Sequence, residues 1–85
     1  MSAKFFNISK KANKNASKLP LKIHNKIDLV FDIIKENPLI GVKLHGELEG
    51  YYKHRVGDYR IVYTFDSKKS LVTVVKIEHR QGVYK

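Results

Sequence analysis

The sequence predicts an α+β domain with the element order β-α-α-β-β-β, in which a mainly antiparallel sheet carries two N-terminal helices on one face. Two observations indicate this fold class. Apolar residues recur at helical spacing as far as Pro38, and beyond Pro38 they follow a period of two. Glycines also divide the C-terminal half into short segments, as in strands that are joined by tight turns.

The N-terminal half predicts one strand and two helices. Residues 4–8 are short and rich in strand-forming types, and Ser9 can then cap a first helix whose outer face carries lysines. Pro20 suits the first turn of a second helix, and Asn37 ends it because the residue before a proline is pushed out of the α region. The apolar stripe of this second helix consists of Ile23, Ile27, Val30, Phe31 and Ile34.

The C-terminal half predicts three strands, at about residues 51–56, 59–66 and 71–79. The middle strand places Arg60 on one face and only large apolar or aromatic residues on the other. A tight hairpin joins the first two strands, and a longer polar loop joins the last two. The last strand is apolar on both faces, which is typical of a strand inside a sheet.

Length and composition limit the class of protein. The 85 residues, of which 42% are hydrophobic, predict a single domain spanning residues 1–85 with one modest core. The chain has no cysteine, and its histidines lack metal-ligand spacing, so neither a metal nor another cofactor is expected. No apolar stretch approaches the ~20 residues that span a bilayer, and no signal peptide is visible. We therefore expect a cytoplasmic protein without membrane contact.

The charge of the chain is high and uneven. Seventeen Lys and Arg against eight Asp and Glu give a formal net charge of +9, and residues 1–27 contain lysines but no acid. The only arginines are Arg55, Arg60 and Arg80. Lysine suits general attraction to a polyanion, whereas the flat guanidinium of arginine binds phosphate through two hydrogen bonds. This contrast indicates a phosphate site, although a lysine-rich composition with three structural arginines explains the same counts equally well.

The strand pattern gathers several of these cations. Lys53 and Arg55 share one face of their strand, and Arg60 lies opposite or diagonal to them across the hairpin. The end of the last strand adds further candidate residues, namely His79, Arg80 and Tyr84. Cations that neutralise phosphate oxygens, together with a ring that stacks on a base, are what phosphodiester recognition requires.

Simpler roles are also open for these residues. Arg60 can pair with Asp58, and such an exposed ion pair contributes little stability. The tyrosines of the strands suit a half-buried sheet better than they suit base stacking. These are Tyr51, Tyr52, Tyr59 and Tyr63.

Several short motifs make the chain resemble a known group of proteins. They are Lys43-Leu44-His45-Gly46, Gly50-Tyr51-Tyr52-Lys53, the run from Arg55 to Tyr63 (RVGDYRIVY), His79-Arg80 and Val83-Tyr84. With them the chain is similar to the RelE/ParE toxin superfamily over nearly its whole length, and the predicted strand order agrees with that family's fold. The details resemble the RelE branch, ribosome-dependent mRNA endoribonucleases, more than the ParE branch, which poisons DNA gyrase.

The resemblance implies a reaction in which the 2′-OH of the mRNA attacks the adjacent phosphate and leaves a 2′,3′-cyclic phosphate and a 5′-OH. It implies Lys53 as base or charge stabiliser and Arg60 as the phosphate clamp. It further implies that Arg80 stabilises the leaving side and that Tyr84 stacks on or orients a base.

Arg55 departs from the best-known relative, which has a lysine at the matching position. A guanidinium does not give up its proton in proteins, so Arg55 is not a general base. Proton transfer would then fall to Lys53, His54 or His79. Strand alternation turns His54 away from Lys53, which makes His79 the better histidine candidate.

The resemblance also implies partners and leaves alternatives. We expect a cognate acidic antitoxin, which the charge of +9 favours, and mRNA on the ribosome with contacts to ribosomal RNA. The main alternative is a ParE-like gyrase inhibitor without nuclease activity. A third interpretation is a catalytically inactive module that binds an antitoxin or RNA.

Overall fold

The computed structural model describes residues 2–79, which form a five-stranded sheet and two α-helices. The elements are β1 (Phe5–Ile8), α1 (Lys10–Ser17), α2 (Leu21–Glu36), β2 (Val42–Lys43), β3 (Tyr51–Val56), β4 (Tyr59–Asp66) and β5 (Leu71–His79), with a short 3₁₀ turn at Gly46–Leu48. The strand order across the sheet is β1-β5-β4-β3-β2. β1 runs parallel to β5, and the other neighbouring pairs are antiparallel.

The predicted fold class is confirmed, and the strands predicted at 51–56, 59–66 and 71–79 have those bounds. Two details of the prediction are wrong. The order is β-α-α-β-β-β-β, because the two-residue strand β2 is too short to show a period. Pro20 is the N-cap of α2, with extended backbone, and does not lie in its first turn.

The main core lies between the helices and one face of the sheet. α1 contributes Ala12, and α2 contributes Ile27 and Ile34, all buried. The sheet contributes Val56, Ile61, Tyr63, Val72, Val74 and Ile77. The opposite face of β3, β4 and β5 is covered by neither helix, and we call it the open face.

Polar side chains of α1 satisfy the outer edge of β5 where β1 has ended. β1 pairs only with residues 71–74 of β5. Beyond them, the hydroxyl of Ser9 donates to the carbonyl of Val75 at 2.7 Å and accepts from the N–H of Ala12 at 3.0 Å. Asn15 Oδ1 accepts from the N–H of Ile77 at 3.1 Å. The N-cap serine of α1 and an asparagine within the helix therefore replace the hydrogen-bond partners that a longer β1 would supply.

A β-bulge divides β5 into two halves of different phase. Val62 pairs with Lys76 and Tyr63 pairs with Val74, so Val75 is an extra residue with no partner on β4. An extra residue exchanges the two faces of a strand from that point onward. Ile77 consequently points into the core, whereas Lys76 and Glu78 point to the open face.

Tyr63 joins β4 to the segment that follows α2. It is fully buried, and its hydroxyl donates to the carbonyl of Pro38 and accepts from the N–H of Gly41, both at 2.9 Å. Burial raises the pKa of the Tyr63 phenol, an effect that the hydrogen bond from Gly41 partly offsets. A Cβ on residue 41 would lie 2.5 Å from the Tyr63 hydroxyl and 2.8 Å from the carbonyl oxygen of Lys53, so this close approach requires glycine.

We predict that Ser9→Ala lowers the free energy of unfolding by about 1–3 kcal/mol, because α1 loses its N-cap and the Val75 carbonyl loses its partner. Urea denaturation measures this change. The matched control is Ser17→Ala, since the Ser17 hydroxyl bonds only to the exposed carbonyl of Lys14 and its loss should change stability by less than about 0.5 kcal/mol. Equal costs for the two variants would contradict the role assigned to Ser9.

We predict that Tyr63→Phe destabilises the fold by about 1–3 kcal/mol, because two backbone groups lose their partner. The raised pKa of Tyr63 adds a pH dependence. The unfolded chain releases this phenolic proton near pH 10, before the folded chain does, so the stability that depends on it is complete below about pH 10 and declines above it. Tyr63→Phe lacks this decline.

Urea denaturation of both proteins at neutral pH and at about pH 10.5 tests the prediction, because their difference isolates Tyr63 from the other titrating groups. The cost of Tyr63→Phe should be smaller at the higher pH. Tyr51→Phe serves as the control at neutral pH, since Tyr51 lies half-buried on the open face. A cost of Tyr63→Phe that does not change with pH would refute the linkage.

Candidate functional site

Two rows of directly paired residues cross the open face. The first row is Arg55, Arg60 and Glu78, and the second is Lys53, Val62 and Lys76, taken in each case from β3 through β4 to β5. Directly paired residues of antiparallel strands place their side chains on the same face, about 4.5–5.5 Å apart at Cβ. The two rows thus bring four cations and one carboxylate together on a regular sheet.

Arg60 lies at the centre of the first row. Its Nη2 donates to Glu78 Oε1 at 3.2 Å, and not to Asp58, the partner that the simpler interpretation suggested. Its Nε is buried and has no hydrogen-bond partner among residues 2–79. Buried donors are nearly always satisfied, so the guanidinium of Arg60 has capacity for a further acceptor.

Arg55 faces Arg60 directly across the hairpin, which is one of the two positions, opposite or diagonal, that the sequence left open. Two like charges in such a pair repel each other. The Arg55 Nε donates to the carbonyl of Gly57 at 3.2 Å, so the turn between β3 and β4 holds this exposed side chain. Glu78, on the other side of Arg60, supplies the opposite charge that the pair lacks.

The second row places two lysines on either side of an apolar residue. Val62 on β4 pairs with Lys53 on β3 and with Lys76 on β5. It is 1% exposed although it lies on the face away from the helices. Lys76 Nζ lies 3.3 Å from Glu78 Oε1, the same oxygen atom that Arg60 contacts. Lys53 is half-buried and is a diagonal neighbour of Arg60.

The structure does not bring His79 into this cluster. His79 pairs with Tyr59 and their rings meet edge to face, with centroids 4.9 Å apart, on the side of the sheet that the helices cover. The pairing of β5 with β4 beyond the bulge therefore places His79 on the face opposite to Lys53 and Arg60. Two other predicted site residues, Arg80 and Tyr84, lie outside the described residues.

Sequence reasoning missed two residues of the open face, Lys76 and Glu78. The sequence predicts a last strand that is apolar on both faces, but its open face carries Thr73 before the bulge and two charged residues after it. The alternation of Lys76, Ile77 and Glu78 indicated that the two charged side chains share one face of the strand. Which face of the sheet this is depends on the bulge at Val75. The pairing of Lys76 with Val62 therefore could not be predicted from the sequence alone.

Other classes of site find little support in the described residues. No group of three or more His, Asp or Glu side chains within residues 2–79 could hold a metal ion. No helix in that range is both long enough and apolar enough to cross a membrane. A cavity of about 370 Å³ lies beside the start of β3 and is lined by residues that include Lys43, His45 and Tyr51. Tyr51 connects this cavity to the open face, where it pairs with Thr64.

Comparison with known proteins gives the same assignment as the motifs. The model of the ParE toxin of the type II toxin–antitoxin system, parDE, matches residues 6–84. Toxin RelE of Mycobacterium tuberculosis is 34% identical over 80 residues, covering 92% of this chain and 82% of that protein. Toxin RelG of the same organism is 30% identical over 76 residues, covering 87% of each.

A solved structure agrees in fold. The toxin–antitoxin complex RelBE2 of M. tuberculosis superposes with a TM-score of 0.81 and 27% identity, covering 94% of each chain. The five-stranded sheet with two N-terminal helices is thus a fold that this chain shares with a chain of a toxin–antitoxin complex. The chain belongs to the ParE toxin family of type II toxin–antitoxin systems, within the RelE/ParE superfamily.

Proposed function

We propose that this toxin is a ribosome-dependent endoribonuclease that cleaves mRNA. The observation that carries the proposal is the arrangement of Lys53, Arg55 and Arg60 on one face of the sheet, where Arg60 also has a buried donor without a partner among residues 2–79. Cations at fixed positions stabilise the charge that develops on a phosphate as it is attacked. Two curated relatives that bear the names RelE and RelG add support for the RelE branch.

The proposed reaction is an in-line displacement within the RNA. The 2′ oxygen attacks phosphorus, the bond from phosphorus to the 5′ oxygen breaks, and a 2′,3′-cyclic phosphate and a 5′-OH result. Arg60 binds the non-bridging oxygens through its Nε and Nη2, as arginine does in bidentate phosphate contacts. Arg80 stabilises the leaving oxygen, and Tyr84 stacks on a base.

Lys53 is the proposed proton acceptor or charge stabiliser for the attacking 2′-OH. Its position diagonal to Arg60 supports this role, because diagonal neighbours on a sheet have Cα atoms about 7–8 Å apart and long side chains bridge that distance. His79 is less favoured, since its ring packs on Tyr59 on the helix side. Arg55 serves as a fixed positive charge.

A second candidate function is inhibition of DNA gyrase. The matching family model is that of the ParE toxin, which supports this alternative. Such an inhibitor needs no proton acceptor, so Lys53 would have no special part in it. Supercoiling by purified gyrase in the presence of the toxin tests this function directly.

The proposed partners are a cognate antitoxin and mRNA on the ribosome, in the cytoplasm. Support for the antitoxin comes from related structures that are toxin–antitoxin complexes, among them RelBE2 of M. tuberculosis. Several large apolar side chains are exposed on α2 and on the segment after it, as expected of a surface that a partner covers. They include Leu21, Leu29, Ile33, Leu39 and Val42.

We predict that Arg60→Ala reduces cleavage of mRNA on programmed ribosomes by about 100- to 1000-fold, the loss typical of removing one group that stabilises transition-state charge. Primer extension maps and quantifies the new 5′ ends. Lys69→Ala is the matched control, because Lys69 lies exposed in the hairpin between β4 and β5. This variant should cleave mRNA like the wild-type protein.

Unchanged mRNA with wild-type protein, beside an active control toxin, would refute the endoribonuclease. Full activity of a folded Arg60→Ala variant would refute only the phosphate clamp. Inhibited supercoiling by wild-type protein together with intact mRNA would establish the alternative instead.

A further inference from the structure

Glu78 is the only acidic side chain in the two rows of the open face, and it binds two of the cations through one atom. Its Oε1 lies 3.2 Å from Arg60 Nη2 and 3.3 Å from Lys76 Nζ. An anionic oxygen between a guanidinium and an ammonium group is the contact that a phosphate oxygen makes in a nucleic-acid site. The carboxylate therefore occupies a position suited to a backbone phosphate.

The contacts that Glu78 makes are weak enough to exchange. Between a fifth and a third of each of the three side chains is exposed, 24% for Arg60, 26% for Glu78 and 31% for Lys76. Ion pairs with this much contact with water contribute about 0–1 kcal/mol, because solvent and salt screen them. A ligand of the same charge replaces such a partner at little cost.

The pairing of Arg60 with Glu78 is also incomplete. Only Nη2 donates to the carboxylate, and the buried Nε has no acceptor among the described residues. A phosphodiester presents two non-bridging oxygens, which satisfy Nε and Nη2 together in the fork geometry of arginine. A phosphate thus gives Arg60 a contact that Glu78 does not provide.

Lys76 extends the candidate site by one strand. It lies on the same face as Lys53, with Val62 between them, and it shares Glu78 with Arg60. Once the carboxylate turns away, Lys76 and Arg60 both face the vacated position. The cationic surface then runs without interruption from β3 to β5.

We propose that Lys76 is a further phosphate ligand of the RNA site and that Glu78 is an internal competitor, which the RNA backbone displaces when it binds. This inference rests on the proposed function, because it takes RNA to be the polyanion. Glu78 thereby lowers the affinity of the free toxin for RNA in general. Cleavage is then favoured where the ribosome already holds the mRNA against the open face.

A different role for Glu78, that of holding Arg60 in place, makes the opposite prediction. If the carboxylate only positions the guanidinium, its loss weakens RNA binding. If it competes with phosphate, its loss strengthens binding. The sign of the change therefore separates the two roles.

The test is equilibrium binding of a fluorescent single-stranded RNA with 2′-O-methyl groups, which prevent cleavage, at several salt concentrations. We expect Glu78→Gln to tighten binding about two- to fivefold, because RNA then no longer competes with one partly exposed ion pair. We expect Lys76→Gln to weaken binding by a similar factor. It should also make the negative slope of log K against log salt shallower by about 0.7, the value for one phosphate contact on a single strand.

Matched variants control for general charge effects. Glu47→Gln removes the same negative charge at an exposed position of the 3₁₀ turn, and Lys69→Gln removes the same positive charge from the β4–β5 hairpin. Thermal unfolding checks each protein, and Glu78→Thr replaces Glu78→Gln if that variant does not fold. Lys76→Arg should retain binding, because it keeps the charge.

Two results would overturn the inference. One is weaker binding by Glu78→Gln, or a gain no larger than that of Glu47→Gln. The other is a Lys76→Gln variant that binds RNA like Lys69→Gln. Cleavage of mRNA on ribosomes is measured in parallel: the expected binding shifts without any cleavage would refute the proposed nuclease alone, and normal cleavage without the shifts would refute the inference alone.

Discussion

The extra residue Val75 determines which side chains of β5 face the core and which face solvent. Before it, Val72 and Val74 point to the helices, and after it Ile77 does so. A strand without the bulge would keep one phase, so Lys76 would lie opposite Ile61 in the core and Ile77 would be exposed. Burying a lysine without a partner is far more costly than forming a bulge. The core and the charged surface are therefore compatible only because the strand changes phase.

The bulge depends in turn on α1. A residue without a cross-strand partner leaves backbone groups unsatisfied, and Ser9 provides a donor for the Val75 carbonyl. Asn15 accepts from Ile77, two residues farther along. Helix α1 has only eight residues and little apolar surface of its own. It nevertheless maintains the geometry of β5, the strand that carries Lys76 and Glu78.

Sequence patterns were sufficient for much of the fold and for part of the site. The tight hairpin after Val56 indicated that Arg55 lies opposite or diagonal to Arg60, because turn length sets the register of a hairpin, and the structure shows the direct pair. Helix α2 was evident from its spacing and from Pro38. Lys76 and Glu78 were not accessible, since the loop of the β4–β5 hairpin and the bulge together set their phase. The face of His79 depends on the same bulge, so the sequence showed only that His79 lies at the end of the strand.

The open face adds almost nothing to the main core apart from its own small apolar centre at Val62. The core and the charged rows therefore use largely separate residues of the same three strands. Side chains on this face can change in charge or size during evolution while the helices and the core stay intact, because surface substitutions seldom alter stability by much. Substitutions on the open face can therefore change what the protein binds while every intermediate sequence still folds.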